Sequence, residues 1–206
     1  MARIYLVAAA AILGLAWFGP LSRSATHSFA AHMTAHMALV AMAAPLIALG
    51  IAGSRFDPVM RTAWLFAAIP ASLLELLVVW FWHAPDLHEA ARQRSSMFVA
   101  EQASFLGAGL FLWLSIFGGT PARRIAQAGS GIIALALTFA HMTLLGALLA
   151  LSRRPLYGHA DAAVAVADQQ LGGAVMLIAG GCVYIGAGLW LGRGLVGRSH
   201  ARVGGT

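Results

Sequence analysis

The chain has 206 residues, 60% of them hydrophobic and only 10% charged, with a mean hydropathy of +0.81. That leaves too little polar surface to cover a soluble globule of this size, so the composition predicts an all-α, polytopic transmembrane helix bundle embedded in the lipid bilayer. The single cysteine, Cys182, excludes a disulfide framework or a multi-thiolate metal site within the chain. The net charge of +6 is carried by arginines in short segments between apolar runs, which fits membrane topology and anionic lipid and argues against nucleic acid as a partner.

About six spans are expected, over residues 4–19, 29–50, 60–82, 97–117, 130–151 and 168–191, in a single domain, with 192–206 as a basic cytoplasmic tail that frays. The first run, Ile4 to Phe18, follows Arg3 and closes at Gly19-Pro20; it suits a short span or the apolar region of a signal peptide cleaved after Ser24. The second carries His32-Met33-Thr34-Ala35-His36-Met37 in its first turns and Pro45 near its other end, where a kink is expected. The third holds Glu75 and ends in Trp80-Phe81-Trp82, an interfacial aromatic cluster. Residues 83–96 form a polar connection, the fourth span bears Glu101 and Gln102, and the fifth contains His141-Met142. The sixth starts at Asp168 and is dense in glycine, with Gly172, Gly173, Gly180 and Gly181 placed to let a neighbouring helix approach closely.

Arginine counts by side set the expected orientation. With the amino terminus inside, eight arginines fall on the inner side and five on the outer, the excess expected of cytoplasmic loops. This puts His32, His36, His83, His88, Glu101 and Asp168 at or near the outer surface, with Glu75 about 10 Å and His141 about 15 Å below it at ~1.5 Å per residue.

On a helix, His32 and His36 share one face, with Cβ atoms roughly 5–6 Å apart, so both can reach one metal ion. His83 and His141 are the further imidazole candidates from other spans. Met33, Met37 and Met142 lie at similar depth, and a thioether-plus-imidazole set suits copper, above all Cu(I). Glu75, Glu101 and Asp168 are candidates for acceptors behind metal-bound imidazoles or for proton relays. His27, His88 and His159 are more simply read as helix-end side chains bonded to backbone or water.

The ordered set His32-Met33-x-x-His36-Met37, Ala44-Pro45-Leu46, Trp82-His83-x-Pro85, Glu101-x-x-Ser104-Phe105 and Ala167-Asp168-Gln169-Gln170-Leu171-Gly172-Gly173 resembles the CtaG-type cytochrome c oxidase assembly family. The resemblance runs from about Ser28 to the end of the sixth span. It implies a non-enzymatic membrane factor of the bacterial plasma membrane that helps a haem-copper oxidase become active, with oxidase subunits as partners. It fits copper reaching the histidines from the periplasmic side.

The residues leave other readings open. Three histidines and an acid can bind zinc and activate water, as in an intramembrane hydrolase, although no HExxH is present. Facing histidines can ligate a b-type haem, in which case His141 must supply one axial ligand. A scaffold that binds an oxidase subunit without metal is the remaining alternative.

Overall fold

The computed structural model describes residues 1–157 and 161–203. Among the described residues there are helices and no strands, and five helical segments are long and apolar enough to cross a membrane, or six with one bent pair. His159 and residues 204–206 lie outside the described residues.

The first span joins α1 (Ala2–Phe18) to the short α2 (Pro20–Ser24), and Pro20 takes the first helical position, where its missing N–H costs nothing. The second joins α3 (Phe29–Met37), a π-helical turn (Ala38–Ala43) and α4 (Ala44–Ile51). The third is broken: α5 (Val59–Thr62) with a 3₁₀ turn (Ala63–Leu65) meets α6 (Ala68–Trp82) at 79°. Then follow α7 (Pro85–Gln93), α8 (Ser95–Phe117), α9 (Pro121–Ala126) and α10 (Ala128–Leu151). The last span is α11 (Ala162–Gly180), a second π turn (Gly181–Ile185) and α12 (Gly186–Val203).

Three boundaries differ from expectation. The sixth span begins six residues before Asp168, because Asp161 caps it by accepting from the Ala163 N–H at 2.8 Å. Its helix runs on through Val203, into the segment expected to fray. The polar connection 83–96 holds α7, which Pro85 starts at its first turn.

Two prolines explain the irregularities of the second and third spans. In the first π turn the Ala44 N–H bonds the Leu39 carbonyl five residues back, so the donor due to the Val40 carbonyl belongs to residue 45, which is proline. The Trp113 indole N–H supplies it instead, at 2.8 Å. In the third span a continuous helix would pair the Phe66 carbonyl with residue 70, again a proline; here Arg123 from α9 donates. Neighbouring side chains thus satisfy carbonyls that proline leaves bare, a requirement where water is absent. Pro45 therefore produces a π turn rather than a simple kink.

Helix contacts follow the glycines. A Cβ on Gly173 would lie 2.5 Å from the Ala150 nitrogen and 2.6 Å from the Gly146 carbonyl oxygen, so α10 and α11 touch backbone to backbone. A Cβ on Gly172 would strike the Phe29 ring at 2.5 Å, bringing α11 equally close to α3.

The up-and-down order gathers residues 24–29, 82–95, 151–157 and 161–162 at one end of the bundle, the histidine end. At the opposite end, the arginine end, Asp57 ties the loops together. Its carboxylate accepts from the backbone N–H groups of Gly53 and Gly119 at 2.7 Å each and of Val59 at 2.9 Å. Gly53 and Gly119 both have positive φ, +72° and +84°, which glycine adopts without a Cβ clash.

Candidate functional site

The second span enters the bundle at the histidine end with its first turn doubly capped. Ser28 accepts from the Ala31 N–H, and Asp168 of α11 accepts from the Ser28 hydroxyl at 2.8 Å and the backbone N–H groups of Phe29 at 2.6 Å and Ala30 at 3.3 Å. A carboxylate at a helix N-terminus answers its unpaired N–H groups and its dipole. Asp168 is thereby spent on anchoring α3 and fixing the rotation of the helix that carries His32 and His36.

Those two histidines are almost wholly buried, His32 at 1% exposure and His36 at 0%. Around His32 lies an upper cluster. The His88 ring from α7 meets it edge-on with centroids 4.8 Å apart, and Glu101 of α8 brings its Oε1 to 3.5 Å from His32 Nε2. Ligand atoms of His32, His88 and Glu101 all fall within 4.8 Å of one another. Arg92, one turn beyond His88 on α7, donates to His32 Nδ1 at 2.7 Å, to Glu101 Oε2 at 2.5 Å and to the Ala25 carbonyl at 3.0 Å. Because guanidinium can only donate, His32 Nδ1 is the acceptor, and the proton of the neutral ring sits on Nε2.

One turn deeper is a second cluster. The His36 ring lies 5.6 Å from that of His83 and 4.0 Å from that of Phe105, centroid to centroid. His83 donates from Nδ1 to the Val79 carbonyl at 2.6 Å, so its Nε2 presents a lone pair, 3.3 Å from the Met33 sulfur. An imidazole whose far nitrogen is tied to a backbone carbonyl is oriented as metal-bound histidines are. His141, on α10, is buried and within electrostatic reach of His36. Both ring nitrogens of His36 and both of His141 are buried with no hydrogen-bond partner, as is Nδ1 of His88.

Burial keeps His83 and His88, both outside the spans, uncharged. It holds His83 down at about 4, and it holds His88 at about 3 with help from the charges of Arg92 and His83. Neutral imidazole is the form that binds metals. Tyr157 roofs this end: its hydroxyl donates to the His83 carbonyl at 2.6 Å, and its ring stacks on Phe29 and meets His88 edge-on.

The structure thus brings together His32, His36, His83, His141, Met33 and Glu101 at one end of the bundle. Met37 and Met142 lie beside them against Gly180 of α11, each 3.7 Å from where a Cβ there would be. Glu75 accepts from the Thr138 and Tyr184 hydroxyls at 3.3 Å each, Thr138 lying one turn before His141 on α10, with Ser72 bonded to Thr138. The sequence reads His88 only as a helix-end side chain and does not single out Arg92. Their signal is the i, i+3, i+4 pattern of His88, Ala91 and Arg92, the buried face of a short helix that the polar composition of 83–96 conceals.

The fold and site define a class: a polytopic membrane helix bundle with a buried histidine-rich column opening at one end. The family model of the cytochrome c oxidase caa3 assembly factor (Caa3_CtaG) matches residues 2–196. The chain belongs to that family, and its members are assembly factors of cytochrome c oxidase. No curated protein and no solved structure gives a match.

Proposed function

We propose that this assembly factor handles copper for the oxidase, taking the ion at the histidine end and holding it among His32, His36, His83, His88 and Met33, with His141 as the deepest ligand. The observation that carries this reading is the set of buried, unpartnered ring nitrogens on His36 and His141 beside the 3.3 Å pair of His83 Nε2 and Met33 Sδ. Buried polar atoms are paired in all but a few cases, so each exception calls for a reason. Imidazole with thioether is a soft donor set, suited to Cu(I). On the arginine bias this end faces the periplasm of a bacterial plasma membrane, the side on which the ion is met.

The test is metal analysis of purified protein beside a His32→Ala/His36→Ala double variant. Copper that co-purifies with the wild type and is lost from the variant supports the reading; equal content in both sinks this site. Loss of oxidase activity with normal haem content in a strain lacking the protein would place the effect at copper.

One observation favours a second reading. Two histidines and a carboxylate, as in His32, His88 and Glu101, are also the protein ligands of zinc hydrolases. Zinc in place of copper, together with release of a lipid or peptide product, would select it.

A further inference from the structure

Arg92 is an unusual neighbour for a set of metal-ligating side chains. Its guanidinium lies against His32 and Glu101, with one-tenth of the side chain exposed. It is also incompletely satisfied, since its Nε is buried with no hydrogen-bond partner. Glu101 Oε1 likewise makes no hydrogen bond. The ligand atoms of His32, His88 and Glu101 lie within 4.8 Å of one another, whereas a tetrahedral ion with ~2.1 Å bonds gathers its ligands to about 3.4 Å. Glu101 Oε1 is already 3.5 Å from His32 Nε2, but the one lone pair of neutral His32 is on Nδ1, where Arg92 holds it, so His32 can join the other two on an ion only if the guanidinium lets go.

We infer that Arg92 is a competitor cation for the upper cluster: guanidinium and a copper ion claim the same acceptors, His32 and Glu101, and the ion binds there by displacing the arginine. This rests on the copper reading above and adds how the ion gains the site. Displacement leaves the net charge around Glu101 close to constant, so no bare carboxylate is buried at any stage. The arginine has somewhere to go. Its Cζ already lies 5.3 Å from the centroid of the half-buried Phe98 ring, a cation–π berth. On the other side, Arg92 and His88 line a cavity of about 590 Å³ that also touches His27, Glu89 and Asp168. The same two α7 residues therefore belong both to that cavity and to the upper cluster, and the carboxylates of Glu89 and Asp168 line the cavity with them.

The experiment measures Cu(I) affinity of the full chain in detergent against a chromophoric chelator. Arg92→Gln removes the competitor and is expected to tighten binding by about tenfold or more, because apparent affinity scales with the fraction of molecules whose acceptors are free. Glu101→Gln is expected to weaken binding. In the Glu101→Gln background the gain from Arg92→Gln should shrink, since only the competition at His32 is left. If Arg92→Gln does not fold, Arg92→Lys keeps the charge but cannot span Ala25, His32 and Glu101 at once, and a smaller gain is expected. Unchanged or weaker affinity in both Arg92 variants overturns the inference. So does an equal gain with and without Glu101, which would mean simple charge repulsion. If wild-type copper is lost in the His32→Ala/His36→Ala variant yet neither Arg92 variant gains, only the displacement falls. If neither wild type nor Arg92→Gln takes up copper, the copper reading falls with it.

Discussion

Asp168→Ala separates a structural carboxylate from one that serves the ion. In the structure Asp168 accepts three hydrogen bonds, from the Ser28 hydroxyl and the first two N–H groups of α3. Hydrogen bonds to a charged acceptor contribute roughly 1.5–3 kcal/mol each, and a carboxylate at a helix N-terminus adds about 0.3–1 kcal/mol through the dipole. The full sum overstates the loss. The cavity beside Asp168 lets water replace part of what is removed, and Ser28 keeps its own bond to the Ala31 N–H. A destabilisation of about 2–4 kcal/mol is expected for Asp168→Ala. Asp168→Asn, which keeps one acceptor and loses the charge, is expected to cost about half as much. The assay is equilibrium unfolding of the purified protein in mixed micelles, followed by tryptophan fluorescence, with copper affinity measured on the same samples. Affinity should fall in step with stability, Asn lying between wild type and Ala. Loss of copper binding in Asp168→Asn with stability unchanged would refute the reasoning and return Asp168 to a proton-relay or ligand-backing role.

Trp113→Phe removes the donor to the Val40 carbonyl and should cost about 1–3 kcal/mol for a buried acceptor left unpaired; Pro45→Ala gives the π turn its own donor, so the same substitution should cost clearly less in that background, as a double-mutant unfolding cycle will show. Gly173→Ala pushes a methyl against the α10 backbone at 2.5 Å and should destabilise by about 1–3 kcal/mol, whereas Gly188→Ala, with nothing within 4 Å, should be neutral or slightly stabilising in the same assay. His88 titrates at about 3 in the folded chain against an ordinary 6.5, so below pH 6.5 the unfolded chain binds the extra proton. Its contribution is fully present above about pH 6.5 and declines as pH falls toward 3. His88→Phe, which keeps an aromatic against Phe29 and Tyr157, should flatten that part of a stability-against-pH curve.

Much of this was legible in the chain. Apolar runs gave the spans because a bilayer demands length and hydropathy together, and the glycines at 172 and 173 marked a close helix approach through the space their missing Cβ atoms leave. His32 and His36 stood out because imidazole is costly in hydrocarbon. Arg92 and His88 did not, since a charged segment between spans looks like a solvated loop until its neighbours show which face is covered. Asp168 read as a site residue because a carboxylate near histidines carries no sign of whether its partners are backbone or ligand. The two π turns were equally hidden. Pro45 announces that a carbonyl will lack its donor, but only the fold reveals that Trp113 is in reach to answer for it.

Those two turns bear on how the chain tolerates changes in length. A π turn holds one residue more than a regular helix would use there, and at ~3.6 residues per turn a single residue is worth about 100° of rotation. Losing one residue from 38–43 would let the second span close into an ordinary helix with its flanks in nearly their present phase, so that His32 and His36 still face His83 and α4 still meets α8, whereas a loss elsewhere in the span would rotate one flank by about 100°. The 181–185 turn absorbs a residue of the sixth span in the same way. Single-residue deletions at these points should therefore be milder than deletions elsewhere in the same spans, marking two places where the chain has a residue to spare.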